Sequence, residues 1–201
     1  MSALEFLRPE ADGPLARSPM ERQALAAGAR FEVRDGWNVP VAYDGETAGG
    51  PVCWADASHL AKVEVHGGHE LTLGQASRAN GAWRCPITPD RTLVIGARGS
   101  GGIDVTTSLA ALVIAGPAAR EVFARFCALD LRLQAMPVGA FRPGSVARTP
   151  GYVLREDADR FLVLFGWALG EYLWTVVADA ASSLGGAPAA IDALDREAAR
   201  A

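Results

Sequence analysis

The sequence predicts an α+β fold, an antiparallel sheet with helices packed on one face, and three observations carry that prediction. "SLAALVIAG" (108–116) and "RFLVLFG" (160–166) are short, nearly unbroken apolar runs closed by glycine, the pattern of buried strands. Val122, Phe123, Phe126 and Leu129 recur at helical spacing in "PAAREVFARFCALDL" (117–131), where Pro117 follows Gly116. Tyr172, Leu173, Val176, Val177 and Ala180 do the same in "GEYLWTVVADAASSLG" (170–185), which Gly185 or Gly186 ends. With "SVARTPGYVLRE" (145–156) as a further strand before the turn "EDAD", the order is strand–helix–strand–strand–helix. That is the split βαβ pattern, a ferredoxin-like βαββα second half.

The first half reads β-rich. Residues 1–18 are polar and proline-bearing, an N-terminal arm. "PMERQALAAGA" (19–29) is a short helix with Pro19 in its first turn and Gly28 as its stop. "RFEVRDGW" is a strand turning at Asp35–Gly36, and 44–51 is a loop. "LAKVEVHG" alternates as a half-buried strand, with Ala61, Val63 and Val65 facing the core and Lys62 and Glu64 facing away. "AWRCPIT" and "TLVIGA" are two strands joined by a Pro-Asp turn, and 97–105 is a loop. The main domain therefore spans 19–186, with halves near 19–105 and 106–186. An Ala-rich, charged tail over 187–201 reads as a short exposed helix.

Composition excludes several classes of function. The chain has 201 residues, half of them hydrophobic, and a net charge of −4, which argues against phosphate-backbone binding. Lys62 is its only lysine, leaving none for a phosphate loop or a Schiff base. Cys53, Cys85 and Cys127 are odd in number and never paired as C-x-x-C, so reduced thiols are the default. Neither a leader pattern nor an apolar run of about 18 residues is visible, and a soluble, cytoplasmic protein is expected, with no membrane and no nucleic-acid partner.

Candidate chemistry centres on "CWADASHLAKVEVHGGHE" (53–70), which holds all three histidines. His59 and His66 stand an odd number of residues apart, so an unbroken strand sends them to opposite faces. His66 and His69 flank Gly67–Gly68 as turn residues, and no metal site is expected. "GARGSGG" (96–102) fails as G-x-G-x-x-G because Asp104 follows, and fails as G-x-S-x-G because Arg98 fills the first glycine position. "EDAD" (156–159) lacks the spacing of a calcium loop. Trp174 reads as core, whereas Trp37, between a glycine and "NVP", is either exposed at an interface or packed. No catalytic residue is identified from these patterns.

The stretch around Asp56, Ser58 and His59 resembles the Asp-x-Ser-His strand start of the aminomethyltransferase (glycine-cleavage T-protein) family. Trp37, Pro40 and Tyr43 in "GARFEVRDGWNVPVAY" (28–43) are similar to another of its segments, and "LVIAGPAAREVFARFCALDL" to a third. The family's catalytic Asp and its Tyr-Thr-Gly-Glu segment have no counterpart here. Instead Cys127–Leu131, Val146–Thr149, Arg160–Leu164 and Glu171–Trp174 resemble the gamma subunit of heterotetrameric sarcosine oxidase. The resemblance implies a T-protein-like folate-binding fold in a non-catalytic small subunit. Its larger partners would bear the flavins and the folate site, and the complex would use FAD, FMN, NAD and tetrahydrofolate. The alternative is a stand-alone folate-binding aminomethyltransferase or demethylase. Should a ligand touch this chain, Trp37, Asp56, Ser58, His59 and Arg148 are the candidate residues, with His59 held by Asp56 or Ser58. Fixing that corner of the fold is the competing structural role for His59.

Overall fold

The structure, a computed structural model, describes residues 15–45, 50–99 and 101–198. Most of the N-terminal arm, the centre of the 44–51 loop, Ser100 and the end of the tail lie outside the described residues.

The first half opens with β1 (Ala16–Arg17), α1 (Glu21–Ala26), β2 (Ala29–Arg34) and β3 (Trp37–Tyr43). The three strands form a small sheet in the order β1-β3-β2. Asp35 and Gly36 join β2 to β3 with φ values of 49° and 77°, and Arg34 pairs with Trp37. Two consecutive left-handed residues make the hairpin twist match that of its strands, which is why Asp-Gly marks the site in sequence.

Next come β4 (Cys53–Asp56), β5 (Lys62–His66), β6 (Ser77–Ala79), β7 (Ala82–Thr88), β8 (Arg91–Ile95), β9 (Ile103–Asp104) and β10 (Leu109–Ala115). The remainder is α2 (Ala119–Ala124), β11 (Phe141–Val146), β12 (Thr149–Asp157), β13 (Arg160–Gly166), α3 (Gly170–Ser182), β14 (Ala187–Pro188) and α4 (Ile191–Ala198). Six strands form a central sheet in the order β11-β12-β13-β10-β4-β14, and five form a second sheet in the order β6-β7-β8-β5-β9. The segment β12-β13-β10 is the expected split βαβ arrangement, with the later hairpin strand β13 between β10 and β12.

The central sheet is covered on both faces, which explains its unbroken apolar strands. Leu112, Ile114, Phe161, Val163 and Phe165 point to a core shared with α1, α2 and α3. Trp54 of β4 meets Trp174 of α3 edge-to-face at 6.0 Å. Ala111, Val113, Leu162 and Leu164 point the other way, against Trp83, Cys85, Leu93 and Ile95 of the second sheet. A strand buried on both faces loses the period-2 signal and keeps only a hydrophobic run.

Four local expectations are corrected. The 145–156 stretch is not one strand: Ala147 and Arg148, at φ 49° and 63°, form a two-residue turn between β11 and β12. The helix expected over 117–131 ends at Ala124, after Val122 and Phe123 have reached the core. Tyr172 is exposed, while Leu173, Trp174, Val177 and Ala180 form the buried stripe of α3. The tail helix α4 is not exposed along its length, because Ile191, Ala193 and Leu194 are buried and Ile191 and Leu194 join the core between the sheets. Arg34 donates to Asp192 at 2.7 Å and Arg160 to Asp195 at 2.6 Å, fastening that helix at two further points.

Candidate functional site: a buried polar knot and the recess beside His59

All four residues of β4 are buried, so its last residue, Asp56, enters the interior as a carboxyl group that must find partners. The chain turns immediately. Ser58 N–H donates to Asp56 Oδ1 at 2.9 Å, an Asx turn, and Leu60 N–H donates to Ala57 O at 3.1 Å. Ser58 is wholly buried, and its Oγ accepts from Ala111 N–H at 3.2 Å, which locks the turn onto β10. Asp56 Oδ2 accepts no hydrogen bond of normal geometry from the described residues.

Lys62 follows at the start of β5, and here the sequence expectation is overturned. Its side chain does not face solvent: Lys62 is 0% exposed. The ammonium donates to Ser58 O and Leu60 O, each at 2.9 Å, so it closes the turn from within. Lys62 N–H donates to Thr106 Oγ1 at 3.0 Å, and Thr106 N–H donates to Asp104 Oδ1 at 2.8 Å. One buried residue thus ties together the turn after β4, through its ammonium, and the segment after β9, through its backbone N–H. Burial drives the Lys62 pKa down from 10.5 to about 8, against the pull of Asp56 and Asp104. Burial also raises the Asp56 pKa, and the Ser18 hydroxyl, Ser58 and the Lys62 charge only partly offset it.

His59 projects outward from the same turn and lines a recess of about 310 Å³ with Arg34, Asp35, Trp37, Gly96 and Arg98. Burial lowers its pKa from 6.5 to about 4, and the positive charges of Lys62 and Arg34 add to the effect. The imidazole is therefore neutral at pH 7. Trp37 is buried in the wall and packs edge-to-face on Trp167 at 5.9 Å, so its main contribution is packing.

The structure brings Asp56, Ser58 and His59 together on one turn and sets Trp37 with His59 in the lining of the recess, which Asp56 and Ser58 do not line. Arg148 does not join them. It sits on the β11–β12 turn and lines a separate depression with Cys127 and Tyr172. Sequence reasoning missed Lys62, Arg34 and Arg98. For Lys62 a signal existed: it is the only lysine among nineteen basic residues, six positions after Asp56. His66 is exposed and pairs with Glu64, while the ring nitrogens of His69 lie against the carbonyls of Leu71 and Thr88. Among the described residues no group of three His, Cys, Asp or Glu side chains could hold a metal ion.

Because His59 binds its proton less tightly when folded, it makes stability pH-dependent. Between about 4 and 6.5 the unfolded chain holds more protons, so stability rises with pH across that window and is lost as pH falls. His59→Gln is expected to flatten this acid limb by at most about 3 kcal/mol. Urea unfolding midpoints at pH 7 and pH 4.5 check it, and an unchanged difference between the two pH values would count against it.

No family model and no curated protein sequence matches the chain. Solved structures do. A chain of the heterotetrameric sarcosine oxidase from Corynebacterium sp. U-96, in complex with pyrrole 2-carboxylate, superimposes with a TM-score of 0.68 at 17% identity. That match covers 86% of this chain and 97% of that one. The glycine cleavage system aminomethyltransferase T from Bartonella henselae gives a TM-score of 0.71 at 15% identity, covering 89% of this chain. The present chain spans only 60% of that aminomethyltransferase. At these identities the likeness is one of fold, and it is the fold the sequence motifs implied: the chain has the T-protein-like α+β fold shared by these two proteins.

Proposed function

We propose that the chain is a non-catalytic, gamma-like small subunit of a multi-subunit flavin- and tetrahydrofolate-dependent sarcosine oxidase, or of a related N-methyl amino acid demethylase. The observation that carries this reading is the extent of the matches. The chain accounts for 97% of a chain in a heterotetrameric oxidase but for 60% of the aminomethyltransferase. Larger cytoplasmic partners would bear FAD, FMN, NAD and tetrahydrofolate, and would oxidise the N-methyl amine to an imine whose carbon passes to the folate. Because an imine hydrolyses in water, a subunit that buttresses and encloses its path has a chemical purpose.

The residues facing the cavity between the two sheets fit tetrahydrofolate poorly. A pterin ring presents adjacent N–H donors to a free carboxylate. The best placed carboxylate here, Glu156, already accepts from Trp83 Nε1 at 2.9 Å and from Arg160 Nε at 3.0 Å. A stand-alone folate-dependent aminomethyltransferase or demethylase, the alternative reading, would have to share a carboxylate already held by those two donors.

Purification of the tagged full chain from its native host tests the proposal. The expected result is a yellow, flavin-bearing complex many times the 21.1 kDa chain mass, active on an N-methyl amino acid. A colourless protein running at its own mass would sink the subunit reading, and tetrahydrofolate binding by that isolated chain would favour the alternative.

A further inference from the structure

We propose that the recess beside His59 binds a small carboxylate, seated between the Arg98 guanidinium and the His59 imidazole. The proposal concerns this chain alone and stands whether or not the subunit reading holds.

Four observations converge on it. The recess is concave and about 310 Å³, large enough for a group the size of acetate with a short substituent. Its two arginines differ in availability. Arg34 donates to Asp192 at 2.7 Å and to Glu32 at 3.3 Å, so its charge is largely matched. Arg98 lines the recess with no hydrogen bond or ion pair to any described residue, although its charge is felt by Asp104. His59, partly buried, likewise makes no hydrogen bond to a described residue, so an N–H of its neutral ring remains to be used.

The fourth observation is electrostatic. The charged groups acting on His59 are Lys62 and Arg34 on the positive side and Asp192 and Asp35 on the negative, and the two cations weigh more. Behind them lies the buried Lys62 ammonium, on which the charges of Asp56 and Asp104 act only against the larger effect of burial. The recess therefore has a net positive field and two unused donors.

The donor set favours a carboxylate over a phosphate. A carboxylate has two oxygens in one plane, one for Arg98 and one for His59, and its substituent can lie on the Trp37 wall. A phosphate presents three or four oxygens, more than these two side-chain donors can match, and would call on backbone N–H groups as well. The obvious contributor, Gly96, already spends its N–H on Ala61 O at 2.8 Å.

The test is acetate titration of the full chain at pH 6.5 and constant ionic strength, read from the His59 ring and Trp37 indole proton resonances. Acetamide, the neutral isostere, is the control ligand. Saturable shifts with acetate but not acetamide are expected. Arg98→Gln should weaken binding about tenfold, the loss of one charge-assisted hydrogen bond, with an unchanged circular dichroism spectrum. Arg132→Gln, paired with Asp130 in a separate depression, should leave binding unchanged. Equal responses to acetate and acetamide, no saturation, or full affinity in Arg98→Gln would each overturn the proposal.

Discussion

Replacing Arg155 by methionine is expected to lower the unfolding free energy by about 3–5 kcal/mol, because several buried acceptors lose their donor at about 1–3 kcal/mol each. Arg155 is 3% exposed on β12, and its guanidinium serves backbone carbonyls rather than a carboxylate. It donates to Leu131 O at 3.0 Å, Met136 O at 2.8 Å and Asp157 O at 3.3 Å, and also to Ala158 O. It also lies over the Phe161 ring at 4.9 Å. Between Leu131 and Met136 the chain forms only a turn, with Arg132 O accepting from Ala135 and Met136 N–H, whereas Leu131 O and Met136 O accept from this one side chain. Methionine keeps most of the volume but leaves several buried acceptors unmatched, each costing about 1–3 kcal/mol. Lysine retains the charge without the planar fork, and about half of the loss is expected to remain. Urea denaturation checks both, and a loss below about 1 kcal/mol in Arg155→Met would show that the loop has other supports.

Arg155 also shows where the sequence stops being legible. The apolar spacing of 117–131 promised a long helix, yet the helix ends at Ala124. Phe126 and Leu129 still pack against the core, now from an irregular path. Spacing records that these side chains are inward, not which backbone delivers them. The strands of the central sheet were legible because burial on both faces writes itself as a run of apolar residues. Lys62 was misread for the converse reason. Alternation assumes one solvated face, but the start of β5 is covered on both sides, and a long apolar stem carries the ammonium to carbonyls of its own turn. In α4, Ile191 and Leu194 stand three apart among charged and alanine residues, too few apolar positions to outweigh composition. Of the site, Asp56, Ser58, His59 and Trp37 were found through a sequence resemblance. Arg34 and Arg98 reach the recess from a hairpin and from the loop after β8, a juxtaposition that only the pairing of strands creates.

Lys62→Met should be destabilising by about 2–4 kcal/mol at pH 7, with consequences that distinguish it from an ordinary core substitution. The ammonium is the donor for Ser58 O and Leu60 O, and the cation that offsets buried Asp56. Removing it leaves two carbonyls unmatched and a carboxylate with no nearby positive charge except through protonation. Asp56→Asn together with Lys62→Met removes that charge problem, and the pair is expected to cost less than the sum of the single changes by 1 kcal/mol or more, measured as a double-mutant cycle. The pH dependence gives a second readout. With a folded pKa near 8 against 10.5 unfolded, the unfolded chain holds more protons between those values, so the wild-type protein gains stability as pH rises through that window. Lys62→Met abolishes that alkaline gain. It also removes one of the positive charges that depress the His59 pKa, so His59 should titrate above its present value of about 4 if the turn stays folded. Additive single effects, or an alkaline limb that survives the substitution, would mean that Lys62 is buried as a spacer and that the positive field under the recess has another origin.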